Sequence, residues 1–300
     1  RTINHMNSLA STNTKIIIWA NCQGGPVAKM LEALHPNTFD IHWYSNFEFM
    51  ASKRELPQCF KEAELFLYQN YKPKGDSIYD LDQIAQNILP NNCKKISFPT
   101  LHSNTLQFCY EFTEPKNKKT ISKYFPQGYF KYGIKIISDL FQEISNKNQN
   151  IDEKIMASEK TISMAMSDEF IPNSDIQLHR ERSLDFVRTK ALSSSTPDIY
   201  EFIESDYTKR RLWHNPSHPN GILLDELCRE IFSKIELEYK PSENDLTMLD
   251  NTLKDWVLPI LPCVQKKYGM KLESKCESIY HPEIVSTESY IRAYLEKLYF

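Results

Sequence analysis

The first hundred residues alternate between short apolar runs and helical apolar stripes. Residues 15–20 form a continuous run dominated by isoleucine, typical of a strand buried on both faces. Apolar positions at helical spacing follow between Val27 and Leu34, just after Pro26, which suits the first turn of a helix. The pattern predicts further strands at 39–44, 64–69 and 95–98, and a helix over 78–89. Strands that alternate with helices predict βαβ units and a parallel sheet.

The pattern changes beyond residue 105. Helical stripes dominate, at 133–144, 151–166, 178–192, 197–207, 223–235 and 286–298. A short strand predicted at 211–213 is expected to join the parallel sheet. The fold class is therefore α/β: a small parallel sheet with helices on both faces and a helix-rich C-terminal half.

The predicted organisation is one α/β domain over residues 15–300, preceded by a disordered or vector-derived tail at 1–14. The domain divides into a βαβ core at 15–104, a helical insertion at 105–210, and a return strand with C-terminal helices at 211–300. Residues 1–14 contain no apolar segment of the kind that signal peptides carry.

Charge and cysteine usage exclude several classes of protein. The chain has 36 basic and 39 acidic residues, so it lacks the basic excess of a nucleic-acid-binding protein. The apolar runs are too short to span a bilayer. The seven cysteines are odd in number and scattered, which indicates a reduced chain with neither disulfides nor a metal site. These observations predict a cytoplasmic protein.

A polar turn, Asn21-Cys22-Gln23-Gly24-Gly25, follows the first strand. Ligands of open parallel sheets bind outside the carboxyl ends of the strands, so this turn is a candidate site. Cys22 precedes a helix, where the helix dipole favours a thiolate, and is either a nucleophile, a contact for a thiol-bearing cofactor, or a small packing residue. The adjacent glycines, two of only seven, suit an anion at a helix N-terminus, although neither GxGxxG nor a Walker motif is present.

A second candidate is the segment from His214 to Pro219, which includes Asn215 and His218. Its prolines prevent the helical zinc geometry of two histidines at i, i+4. We expect Pro219 in the first turn of the following helix, with Ser217 or His218 at its cap. His218 is then either a general base at the mouth of the sheet or a histidine that merely caps the helix.

Other residues at the predicted strand ends complete the candidate rim. Gln69-Asn70 ends the third strand, and His102 follows the fourth. Arg210 and Arg211, with the arginines at 180, 182 and 188, are either a phosphate clamp or solvated helix faces. Gly75-Asp76-Ser77 resembles the motif of SGNH esterases but does not directly follow the first strand, so a helix N-cap is the preferred interpretation.

Four short blocks, in this order, resemble the WcbI-type capsular polysaccharide biosynthesis proteins. They are the strand ending in Asn21-Cys22-Gln23, the strand end Ile96-Ser97-Phe98-Pro99, the block Arg211-Leu-Trp-His-Asn-Pro-Ser-His218-Pro219, and the Pro-rich Leu258-Pro262 with Tyr268-Gly269. The third block departs from the family pattern, because Pro216 and Ser217 interrupt its Asn-His-Pro sequence.

The resemblance implies coenzyme A binding and O-acetylation of a bacterial capsule sugar. It implies an acetyl-CoA-dependent transferase acting on a sugar or polysaccharide acceptor, with peripheral association with a capsule assembly complex. We expect catalytic roles for His218, Cys22 and Gln23. Cofactor contacts are expected from Asn21, Gly24, Gly25, His102, Arg210, Arg211, His214 and Asn215. The alternatives are an SGNH-like esterase, a sulfotransferase, and a non-catalytic CoA-binding subunit.

Overall fold

The computed structural model describes residues 13–71, 79–112, 132–145, 149–270, 276–279 and 281–299. The chain divides into two compact units. The first unit draws on Arg1–Thr100, Thr189–Tyr200 and Gly221–Thr252, and the second on Leu101–Arg188, Glu201–Asn220 and Leu253–Phe300. Most of the predicted tail, and the Gly75-Asp76-Ser77 motif, lie outside the described residues.

A parallel sheet forms the centre of the first unit. Its strands lie in the order β2–β1–β3–β4, and every neighbouring pair is parallel. They are β1 (Thr14–Ala20), β2 (Phe39–Ser45), β3 (Leu65–Gln69) and β4 (Lys94–Phe98). The predicted strands and their parallel arrangement are confirmed. In the order 2-1-3-4 the chain switches direction between β1 and β3, where ligands of doubly wound sheets bind.

Both faces of this sheet are covered, as the isoleucine run predicts. Ile16, Ile17 and Ile18 are consecutive and all completely buried. Ile17 packs with Phe66 and Ile84 in one apolar cluster. The helices of the unit are α1 (Gly24–Leu34), α2 (Asn46–Ser52), a 3₁₀ turn (Gln58–Glu62) and α3 (Leu81–Asn87), with α8 (Gly221–Lys234) and α9 (Glu243–Thr252) from later in the chain.

The second unit is mainly helical. Its helices are α4 (Lys135–Ile144), α5 (Ile151–Ala165), α6 (Asn173–Leu192, whose residues from Thr189 on belong to the first unit), α7 (Ile199–Asp206, whose first two residues belong to the first unit), α10 (Pro262–Tyr268) and α11 (Thr287–Tyr299). Its strands form short antiparallel pairs: β5 (Tyr110–Phe112) with β6 (Tyr132–Ile134), β7 (Trp213–Asn215) with β8 (His218–Pro219), and β9 (Trp256–Val257) with β10 (Glu277–Ser278). Among the described residues, no helix has both the length and the apolar character needed to cross a bilayer.

Two local predictions are wrong. The segment predicted at 211–213 does not join the parallel sheet, because β7 instead pairs antiparallel with β8 in a tight hairpin. The following helix does not begin at Pro219, which lies in β8. It begins at Gly221, whose N–H donates to Asp250 Oδ1 at 3.0 Å. Asp250, from α9, therefore caps this helix, and neither Ser217 nor His218 lies at its cap.

Candidate functional site

The turn after β1 is held by hydrogen bonds that its own residues make. Asn21 Oδ1 accepts from the Gln23 N–H at 2.9 Å, an Asx turn that fixes the side chain. The N–H groups of Gly24 and Gly25 donate to the carbonyls of Asn21 and Cys22, at 3.0 and 3.3 Å. The amides at the start of α1 are therefore committed inside the turn, which leaves Gly24 and Gly25 no free N–H for an anion.

A buried glutamine at the end of β3 anchors this turn. Gln69 Oε1 accepts from the Asn21 N–H at 2.9 Å, and Gln69 Nε2 donates to Gln23 Oε1 at 3.0 Å and to the Pro99 carbonyl at 3.3 Å. Gln69 and Gln23 are almost completely buried. Three strand ends, those of β1, β3 and β4, are thus joined by one side chain. Gln23, predicted to be catalytic, is buried and bonded to Gln69 inside this anchor.

Two donors of the turn have no partner among the described residues. They are the Cys22 N–H and the Asn21 Nδ2, since Asn21 Oδ1 is the atom used by the Asx turn. The Cys22 thiol is partly exposed beside them. Adjacent amide donors next to an accessible thiol can bind a carbonyl oxygen or hold another thiol-bearing molecule. This turn lies at the switch point of the sheet, where a ligand is expected.

Close packing explains why two glycines stand side by side at the start of α1. A Cβ atom on Gly24 would lie 2.6 Å from Trp43 Nε1 and 2.9 Å from the Ala20 Cβ, and one on Gly25 would lie 3.3 Å from the Trp43 ring. Neither glycine adopts a positive φ. The close approach of the Trp43 indole to the start of α1 explains this pair without an anion.

The second cluster belongs to the second unit and is built on the β7–β8 hairpin. The Pro216 carbonyl accepts from the Ser103 N–H at 2.9 Å, and Ser217 Oγ lies 3.4 Å from His102 Nδ1. His102 is therefore beside the hairpin. Burial lowers the pKa of His102, so its neutral form is favoured.

His218 has a carboxylate partner within the same unit. Its Nδ1 lies 2.7 Å from Asp255 Oδ1, and that oxygen also accepts from the Trp256 N–H at 2.9 Å. A carboxylate oxygen only accepts, so the proton of the neutral imidazole lies on Nδ1. The second nitrogen, Nε2, then carries a lone pair. This is the arrangement in which a histidine acts as a general base and an aspartate orients it.

Buried residues of the hairpin support this pair. Asn215 Nδ2 donates to the Trp256 carbonyl at 2.9 Å, and Asn215 Oδ1 accepts from the Ser217 N–H at 3.2 Å. The His214 carbonyl accepts from the Leu258 N–H at 2.8 Å. Two blocks of the sequence resemblance are thus hydrogen-bonded to each other. His214 and Asn215, predicted to bind a cofactor, are buried and hold the hairpin in place.

Comparisons with known proteins agree with this fold at low sequence identity. No family model matches the chain, and no curated protein matches it. A solved structure of WcbI, described as a novel polysaccharide biosynthesis enzyme, matches with a TM-score of 0.65. The match covers 95% of this chain and 90% of that chain at 13% identity, and that structure is the native protein without a disulfide bond between CoA and one of its cysteines. The similarity shows a shared fold.

The predicted basic clamp is largely occupied by other contacts. Arg210 pairs with Asp206 and stacks over Phe202, and Arg211 donates to the Leu258 carbonyl from a largely buried position. Arg180 lies over the Tyr207 ring at 5.4 Å. Of the arginines in the predicted clamp, Arg182 and Arg188 on α6 are exposed and make no ion pair within the described residues.

Asp255 is the functional candidate that sequence reasoning missed. It stands alone between Lys254 and Trp256, with no motif around it. The pairing of β7 with the segment at 256–258 brings it to His218. Only the late Pro-rich block, three residues further on, pointed to this part of the chain.

Proposed function

We propose that this protein is a CoA-dependent acyltransferase of polysaccharide biosynthesis, which O-acetylates a capsular sugar or its precursor. The observation that carries the proposal is the 2.7 Å contact between His218 Nδ1 and Asp255 Oδ1. It gives the chain a histidine with the tautomer of a general base. The fold similarity to WcbI supports CoA as the cofactor.

The turn after β1 has the donors that the reactive end of CoA requires. Acetyl-CoA supplies an acetyl group as a thioester, and its transfer forms a C–O bond to the sugar and breaks the C–S bond. The Cys22 N–H and Asn21 Nδ2 would stabilise negative charge on a carbonyl oxygen. Cys22 is proposed to contact the thiol end of the cofactor.

His218 is proposed to move the proton of this reaction. Its Nε2 would accept the proton of the sugar hydroxyl, and Asp255 would stabilise the imidazolium that forms. The same proton would then neutralise the departing thiolate, which leaves as the free thiol of CoA. Arg182 and Arg188 are the proposed contacts for phosphate oxygens, because the other basic candidates already have partners.

Ligand binding tests the cofactor part of the proposal. CoA, desulfo-CoA, 3′,5′-ADP, ADP and 3′-phosphoadenosine-5′-phosphosulfate would be compared by thermal shift and calorimetry. Linkage predicts about 2.7 kcal/mol of stabilisation at a hundredfold excess over Kd. We expect CoA to bind most tightly of these five ligands. Failure of both CoA and desulfo-CoA to bind at millimolar concentration would overturn the cofactor assignment, and preference for the phosphosulfate would favour a sulfotransferase.

Transfer itself is tested with labelled acetyl-CoA and polysaccharide from which alkali has removed the O-acetyl groups. We expect label in the polysaccharide with wild type, and a loss of about 10²–10⁴ in rate with His218→Ala. Cys22→Ala should weaken CoA binding yet retain turnover. CoA binding without transfer to polysaccharide would favour a non-catalytic subunit, and an acetyl group on Cys22 that forms and discharges at the turnover rate would show a covalent route.

A further inference from the structure

A groove of about 610 Å³ opens in the first unit beside the carboxyl end of β3. Its lining comes from β3, β4, α3 and the end of α6. Its volume lies within the range of small-molecule sites. Asn70, which lines the groove, directly follows Gln69, the anchor of the Asn21–Gly25 turn. The groove therefore begins one residue from the candidate cofactor site.

The ring of Tyr68 forms part of this groove and is supported by a second ring packed against it. The Tyr68 ring stacks on the Phe66 ring, with centroids 5.1 Å apart and planes 17° apart. Phe66 is in the buried core, whereas Tyr68 is only partly buried. A rigid aromatic face of this kind presents an apolar surface with little entropy to lose on binding. The C–H face of a sugar ring packs well on such a surface.

The polar groups around Tyr68 include both donors and acceptors. Asn70 Nδ2 donates to the Ser193 carbonyl at 2.7 Å, which fixes the amide and leaves Asn70 Oδ1 without a partner among the described residues. Lys95 and Asp82 also line the groove and make no ion pair within the described part of the chain. Side chains that can donate and accept at once match the hydroxyl groups of a sugar.

The same groove is poorly suited to a phosphate. Its charged lining residues are Lys95, Lys190, Asp80 and Asp82, so positive and negative charges balance. Two amides at the start of α3 are already used there, because Asp80 Oδ1 accepts from the N–H groups of Asp82 and Gln83, at 3.0 and 3.2 Å. A nucleotide would have to place its phosphates near the carboxylates of Asp80 and Asp82.

We propose that this groove binds a sugar residue of the glycan, with Tyr68 as the stacking platform and Asn70 and Lys95 as hydrogen-bonding partners. The assignment of this sugar as the acetyl acceptor rests on the proposed function. It names the acceptor subsite that transfer would need. Asn70 follows the carboxyl end of β3, at the sheet edge that carries Cys22, and Lys95 lies near the start of β4.

Saturation-transfer NMR on the full chain tests the groove without any need for turnover. The probes are mono- and disaccharides of hexoses, deoxyhexoses, N-acetylhexosamines and uronic acids, at millimolar concentration, with 3′,5′-ADP as the phosphate-bearing comparison. Lys95→Ala and Tyr68→Leu should each weaken binding of the preferred sugar by about tenfold, the equivalent of one good contact. Lys94→Ala is the matched control, because Lys94 neighbours Lys95 on β4 but does not line the groove.

The outcomes separate this proposal from the proposed function. Sugar binding that Lys95→Ala and Tyr68→Leu weaken, and Lys94→Ala does not, supports the groove even if CoA fails to bind. CoA binding with no saturation transfer to any sugar overturns the groove alone. Equal sugar binding by all variants also overturns it, as does binding of 3′,5′-ADP that Lys95→Ala abolishes. Circular dichroism and urea unfolding confirm that Tyr68→Leu is folded.

Discussion

The imidazole of His218 and the carboxylate of Asp255 meet at 2.7 Å although 37 residues separate them in the chain. His218 is held in the β7–β8 hairpin, and Asp255 directly precedes β9. Asn215 joins the two segments through its bond to the Trp256 carbonyl. Contacts to the backbone therefore fix the pair on both sides.

Asp255→Asn should lower the rate of acetyl transfer by about 10²–10⁴ while CoA binding is retained. The amide would present a donor or a weaker acceptor to Nδ1, so the base-competent tautomer of His218 would lose its support. The measurement is kcat across pH together with the thermal shift by CoA. Asp139→Asn, on an exposed helix face, is the control for removing one carboxylate. An unchanged rate and pH profile would show that Asp255 is only structural.

Gln69→Glu should destabilise the fold by about 2–3 kcal/mol and weaken CoA binding. A carboxylate could still accept from the Asn21 N–H, but could not donate to Gln23 Oε1 or the Pro99 carbonyl. Urea unfolding and CoA titration measure the two effects. Gln83→Glu, exposed on α3, is the matched control. If both variants behave as wild type, Gln69 does not anchor the turn.

The sheet was predictable because its strands have local signals. Each strand contains β-branched or aromatic residues, and residues 16–18 form an apolar run that must be buried on both faces. The turn at Asn21 could be predicted as a candidate site because it directly follows the first strand of a parallel sheet. The role of Gln69 as an anchor and the role of Asp255 could not be predicted, because each depends on a partner brought near by tertiary pairing.

The hairpin shows why one strand was misassigned. Residues 211–213 have the composition of a strand, and composition does not choose the partner. Pro219 has no N–H and so can lie opposite Trp213 at the end of a two-residue strand as well as in a helix. The cap came from Asp250, in another helix. Sequence spacing alone favoured a cap from Ser217 or His218, which are closer to the helix along the chain than Asp250 is.

Gly24→Ala should cost about 1–3 kcal/mol, because its methyl group would lie 2.6 Å from Trp43 Nε1. Gly25→Ala should cost less, since its nearest contact would be 3.3 Å. In a Trp43→Ala background the penalty at Gly24 should shrink but persist, because Ala20 remains 2.9 Å away. Urea unfolding of wild type, Gly24→Ala, Trp43→Ala and the double variant gives the coupling free energy between the two positions. A penalty independent of Trp43 would contradict the packing explanation.

Glu230, on α8, should make the fold less stable as the pH rises from mildly acidic to alkaline. It is 9% exposed, and neither carboxylate oxygen has a hydrogen-bond partner among the described residues. Burial, with the nearby Asp198 and Glu226 carboxylates, raises the pKa of Glu230 from 4.5 to about 8. Between these values the folded chain keeps a proton that the unfolded chain has released, so stability falls as the pH rises through this window and levels off above it.

Glu230→Gln removes this titration while keeping the shape of the side chain. The variant should match wild type near pH 4.5 and be more stable above pH 8, by about 1–3 kcal/mol. Urea unfolding at a series of pH values measures the difference. Glu32→Gln, exposed on α1, controls for the loss of one negative charge and should leave the slope unchanged. A slope in Glu230→Gln equal to that of wild type would mean that the proton taken up on folding belongs to another group.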